Sequence, residues 1–92
     1  MPGVTSDDVP SGKKPTPGRL ARNAGVVVRR LVEEDGHSQQ YVAVHIGMSQ
    51  SQLSKCLRGD RVFDIDQLEA IASMFGTTVE AIIREAREMP RN

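Results

Sequence analysis

Aromatic residues are almost absent: Tyr41, Phe63 and Phe75 are the whole set, and there is no tryptophan. An interior without large rings must be built from Val, Ile, Leu, Ala and Met, which suits helices packed side by side. Cysteine is nearly missing too. Cys56 is the only one, so no internal disulfide can form, and one thiol with two distant histidines, His37 and His45, does not make a zinc site. No apolar run approaches the roughly 20 residues that cross a bilayer. The N-terminal residues lack the charged-then-apolar order of a secretion signal. A cytoplasmic, reducing setting with no membrane partner is expected. Also missing are a Ser-His-Asp arrangement, a Gly-rich phosphate loop and a cluster of metal ligands. A chain of 92 residues buries only about 60–65% of the surface it exposes when unfolded, leaving little core to give over to a deep catalytic cleft. These absences predict no enzyme, no metal, no cofactor and no small-molecule substrate.

A surplus of charge is the last absence, with 12 basic and 12 acidic side chains. Their placement is uneven. Lys13 to Arg61 carries nine basic residues against Glu33, Glu34, Asp35 and Asp60, a segment charge of +5, whereas residues 1–12 carry −2 and residues 62–92 carry −3. A polarised molecule can present a positive face to phosphates although its total charge is zero.

What is present is helical periodicity. Residues 1–18 hold seven Gly or Pro and no apolar pattern, and they read as a disordered arm. From there Leu20, Ala24, Val27, Val28 and Leu31 form one helical stripe, ended by Gly36. Glu33, Glu34 and Asp35 crowd the negative end of that helix, a solvated end that Arg29 and Arg30 one turn back partly offset. Ser38 is a good N-cap for a short second helix carrying Val42, Ala43 and Ile46, and Gly47 interrupts it. Ser49 with Gln52 makes a capping box for a third helix with Leu53, Cys56 and Leu57 inward, closed by Gly59. Asp64 with Gln67 repeats the box for a fourth, burying Ile65, Leu68, Ile71, Ala72 and Phe75 before Gly76. Thr78 caps a fifth, using Val79, Ile82 and Ile83 and fading before Pro90. No strict alternation suggests a strand. The expectation is an all-α, compact five-helix domain over residues 19–88, with the arm at 1–18 and a tail at 89–92.

The stretch from Gln39 to Arg58 carries the chemistry. Two helices joined at a steep angle by a three- to four-residue turn need a small residue where they approach, here Ala43, and one that tolerates positive φ at the turn, here Gly47. Val42, Ile46, Met48, Leu53 and Cys56 supply the apolar positions that lock the pair to the rest. With Leu53, Cys56 and Leu57 turned inward at 100° per residue, Ser51, Lys55 and Arg58 point outward and Ser54 sideways. Gln50 sits at the exposed N-terminal tip. A helix of this kind fits a major groove, where Gln50 can pair bidentately with adenine and Lys55 with guanine O6 and N7, while Ser51 is a short, adaptable base contact. Arg58 and Arg61, where the chain leaves the groove, are assigned to phosphate, with Ser54 beside them. Arg22 can add to the electrostatic footprint, and the Lys13-Lys14 pair is either a DNA-wrapping arm that adds to it or a solvated tail. Cys56 reads as an inert core thiol and His45 as a plain surface residue.

This pattern resembles the lambda-repressor-like helix-turn-helix proteins of the Cro, repressor and XRE-like type, which include phage repressors, small bacterial regulators and antitoxins. The likeness runs from about Arg19 to Ile83. It includes Ser38-Gln39 opening the second helix, the Gly47-Met48-Ser49 turn, Leu53-Ser54 with Arg58-Gly59, and the downstream Asp64-Ile65, Leu68, Ile71-Ala72, Phe75-Gly76, Thr78-Val79 and Ile82-Ile83. The resemblance implies that Gln39 touches the DNA backbone and braces Gln50. It implies, too, a homodimer on DNA whose surface includes Ile82, Ile83, Ala86 and Met89, unless these residues merely finish the monomer core. Two departures stand out: Tyr41 and Val44 occupy positions usually polar in the family, marking either a partner surface or packing against the first helix. Gln52 is committed to its capping box.

The function expected is a sequence-specific double-stranded DNA-binding regulator, a repressor or Cro-like switch acting by operator occupancy, cytoplasmic and nucleoid-associated when bound. The alternative is a protein-interaction module on the same scaffold, an antitoxin or adaptor.

Overall fold

Side chains begin four of the five helices. Ser38 Oγ accepts the Tyr41 amide at 3.1 Å, Ser49 Oγ that of Gln52 at 3.1 Å, Asp64 Oδ1 that of Gln67 at 2.7 Å and Thr78 Oγ1 that of Ala81 at 3.0 Å. Each bond satisfies one of the amides that a helix start leaves without a partner. The structure, a computed structural model, describes residues 18–90. The expected arm, apart from Gly18, and with it Lys13 and Lys14, lies outside the described residues. So do residues 91–92 of the expected tail. The elements are α1 (Arg19–Asp35), α2 (Gln39–Ile46), α3 (Gln50–Arg58), α4 (Ile65–Met74) and α5 (Val79–Glu88). No strand occurs among the described residues.

α1 is the spine. It packs along α5 and against α3, while α2 packs on α3 and α4, and α4 on α5. At their common centre Val27, Val28, Val42, Leu53, Ile71 and Ile82 are fully buried, and no polar side chain is buried with them among the described residues. Each such aliphatic side chain contributes about 1.5–3 kcal/mol by leaving water. Gly25 lets α1 come close to α3: a Cβ there would stand 3.0 Å from the carbonyl oxygen of Cys56.

Polar side chains of α1 finish α5. The C-cap of α5, Met89, is extended, so the final carbonyls lack the bonds that a left-handed glycine turn supplies. Asn23 Nδ2 donates to the Ala86 carbonyl at 3.0 Å and Arg19 Nη2 to that of Met89 at 2.8 Å. Arg29 pairs with Glu33 within α1 at 3.1 Å, whereas Arg30 turns away from the acidic helix end to meet Glu85 of α5 at 3.4 Å.

The expected core needs three corrections. Ile65 is 67% exposed rather than buried; as the first residue of α4 it lies at the edge of the stripe and borders an open groove with Val79 and Ile83. Phe75 is only half-buried, and Val32, Phe63 and Gly25 join the interior. Ile82 and Ala86, expected on a pairing surface, are 1% and 0% exposed, held in the monomer's own core where α5 meets α1. Ile83 and Met89 reach the surface, each half-buried.

Candidate nucleic-acid interface

The bend between α2 and α3 is set by a few residues. Gly47 takes φ 74°, a conformation that costs other residues strain. Its amide bonds the Val44 carbonyl at 3.3 Å, and the Met48 amide bonds that of Ala43 at 2.9 Å. Met48 tucks into the core beside Ala43 and Ile46. Ser49 then opens α3 with a reciprocal box: the Gln52 amide donates to Ser49 Oγ, and the Ser49 amide donates to Gln52 Oε1 at 3.3 Å. Gln52 is therefore engaged at the helix start.

Leu53, Cys56 and Leu57 anchor α3 inward. Gln50, Ser51, Lys55 and Arg58 are exposed on its other side, and Ser54 is half-buried at the flank. Among the described residues, no hydrogen bond or ion pair occupies the side chains of Gln50, Ser51 or Lys55. Arg58 is engaged by its own chain: Nε donates to Asp60 Oδ2 at 3.2 Å, Nη2 lies 3.2 Å from the same oxygen as an ion pair, and Nη1 donates to Ser54 Oγ at 3.2 Å. Arg61 is exposed in the loop that follows. Gln39, exposed in the first turn of α2, makes no hydrogen bond to Gln50 among the described residues.

Chemically, this is a polar ridge about three turns long with cations at its C-terminal end. Its alternation of short hydroxyls, amides and long cations can donate to and accept from base edges. Cys56 lies beneath it. Burial pushes the thiol above its ordinary value near 9.0, only partly opposed by the Arg61 charge, and Sγ faces the Val62 carbonyl at 3.6 Å. Such a thiol is protonated and unreactive at neutral pH.

One feature of the surface escaped the sequence reading. The ring of Tyr41 on the outer side of α2 stacks on that of His37 just before the helix, with centroids 4.2 Å apart, and lies tilted against that of His45, 4.5 Å away. Spacing at i, i+4 puts Tyr41 and His45 on one helical face, the signal available for that pair; His37 lies before the N-cap Ser38, where helical spacing gives no such signal. His37 also pairs with the Asp35 carboxylate. Tyr41 and Val44 are 44% and 74% exposed, so neither is buried against α1.

A family model described as a helix-turn-helix domain matches residues 23–85. Two crystal structures of the clp gene regulator ClgR from Corynebacterium glutamicum share the fold. One has a TM-score of 0.70 at 23% identity, covering 79% of this chain and 77% of that one. The other has a TM-score of 0.68 at 24% identity, covering 82% and 95%. No curated protein matches.

Proposed function

This chain belongs to the helix-turn-helix domain family, and on that premise we propose that it is a sequence-specific double-stranded DNA-binding transcriptional regulator, a repressor or Cro-like switch that acts by occupying an operator. The observation carrying the reading is the wet side of α3. Gln50, Ser51 and Lys55 are exposed there and free of partners within the described chain, while Leu53, Cys56 and Leu57 are locked inward. In this reading Gln50, Ser51 and Lys55 touch base edges in the major groove. Gln39, Ser54, Arg58 and Arg61 hold phosphates, and Lys13 and Lys14 add to the footprint from the arm. The setting is the cytoplasm, on the nucleoid when bound.

A module this small has few contacts, so a homodimer on a pseudo-palindrome, with half-sites about 34 Å apart, is part of the proposal. The pairing surface is the open groove of about 580 Å³ between α4 and α5. Ile65, Val79 and Ile83 line it, and Glu69, Glu80, Arg84 and Arg87 rim it. A rim of both signs suits a twofold contact, in which each acid of one copy can meet a base of the other.

Selection of bound duplexes from a random pool, followed by titration at several salt concentrations, tests the reading. A binder neutralising several phosphates loses affinity with a log–log slope of about −0.9 per phosphate. Lys55→Ala should relax preference at one base pair, and Arg58→Ala should weaken binding to every duplex alike. If both variants keep the affinity and selectivity of the unaltered chain, the groove assignment is wrong. A second reading, a protein-interaction module such as an antitoxin or adaptor, is favoured by the exposed outer side of α2 with Tyr41 and Val44. An apolar partner interface there would be nearly insensitive to salt.

A further inference from the structure

Between Gly36 and Phe63, a span that includes the whole of α2, the turn and α3, the sequence has one acidic residue, Asp60. It sits on Arg58. The guanidinium directs Nε and Nη2 to Asp60 Oδ2 at 3.2 Å each and Nη1 to Ser54 Oγ at 3.2 Å. All three guanidinium nitrogens thereby have a partner, two of them a single carboxylate oxygen whose place a phosphate oxygen can take.

The carboxylate is not carried on a loose loop. Gly59 ends α3 at φ 87°, the Gly59 amide bonds the Cys56 carbonyl at 3.2 Å, and the Asp60 amide bonds that of Lys55 at 3.0 Å. The backbone of Asp60 is thus pinned to the last turn of α3. An acid at that position is disfavoured by the negative end of the helix dipole, so helix stability does not account for it. Both partners are more than half exposed, and an exposed pair is weak enough for another anion to displace.

Resting on the DNA-binding reading above, we propose that Asp60 is a positioning residue that mimics a phosphate. It holds Arg58, which in turn bonds Ser54, in the unbound chain and is exchanged for a backbone phosphate when α3 docks. The exchange lowers affinity for all duplexes equally, because every phosphate contact of Arg58 must first displace the same carboxylate. Base preference is untouched, since Gln50, Ser51 and Lys55 lie outside the latch.

The test is a double-mutant cycle on the full chain with a mixed-sequence duplex at moderate salt, where charges beyond about 8 Å are screened. Asp60→Asn should tighten binding by about two- to five-fold, the range set by an exposed ion pair, and leave the ranking of selected sequences unchanged. In an Arg58→Ala background the same change should give almost no gain. Equal gain in both backgrounds would mean simple repulsion between Asp60 and DNA, and it would overturn the latch, as would no gain in either. Failure of the unaltered chain to bind duplex DNA at all would overturn the proposed function, and the latch with it. Binding that is sensitive to Arg58→Ala but indifferent to Asp60→Asn would overturn the latch alone.

Discussion

Replacing Gly25 by alanine should destabilise the chain, against the ordinary rule for helices. An interior helical glycine is about 0.5–1 kcal/mol worse than alanine, so propensity alone favours the change. Geometry opposes it. The new Cβ would stand 3.0 Å from the Cys56 carbonyl oxygen, a distance real Cβ atoms essentially never go below. Nor can the obstacle swing aside, because it is backbone at the end of α3. The two helices must separate by a few tenths of an ångström, loosening Leu53, Cys56 and Val28 where they meet. Overpacking of this kind costs about 1–3 kcal/mol, leaving a net loss centred near 1 kcal/mol within a span of about 0 to 2.5 kcal/mol. For a domain this size each kcal/mol moves the melting temperature by about 4–8 °C. Thermal unfolding followed by circular dichroism measures it. A melting temperature equal to or above that of the unaltered chain would refute the close approach of α1 to α3.

Three further outcomes follow from the same structure. Ser49→Ala removes the hydroxyl of the α3 capping box and should cost about 1 kcal/mol, with hydrogen exchange at the Gln52 amide accelerating more than at Leu53. Because burial raises the Cys56 thiol above 9.0, the folded state keeps its proton while the unfolded thiol ionises. Stability from this group is therefore complete below about pH 9 and falls as pH rises further; subtracting the pH profile of Cys56→Ala from that of the unaltered chain should isolate the decline, and parallel profiles would contradict it. Ile65→Asp changes an exposed side chain, so the monomer should fold normally, yet sedimentation should show a weakened dimer. Affinity for a two-site palindrome should drop while that for a single half-site stays level.

Much of the architecture was legible because its signals are local. Ser38, Ser49, Asp64 and Thr78 announce helix starts by side-chain chemistry confined to four residues, and the apolar stripe Leu53, Cys56, Leu57 fixes the phase of α3 and hence its wet side. What the reading lost lay in tertiary contacts. Gly25 has no side chain to register in an apolar pattern, although it governs how closely α1 meets α3. The bonds from Asn23 and Arg19 to the last carbonyls of α5 span 63 and 70 positions, beyond any local rule. Ile82 and Ala86 form a true apolar stripe, but periodicity alone does not say whether such a stripe packs on its own chain or on a partner. Ile65 falls near the phase of Leu68 and Ile71, yet at the first position of α4 it faces the open groove beside Val79 and Ile83. The Arg58–Asp60 latch depends on the turn after Gly59, which brings two neighbours in sequence into one fork.

Amide-resolved NMR of the labelled chain during titration with a selected duplex shows directly which surface meets the DNA. The largest shifts should fall at Gln50, Ser51, Lys55 and Arg58, with a second set at Gln39. Shifts concentrated at Tyr41 and Val44, or along the α4–α5 groove, with α3 undisturbed, would rule out docking through α3.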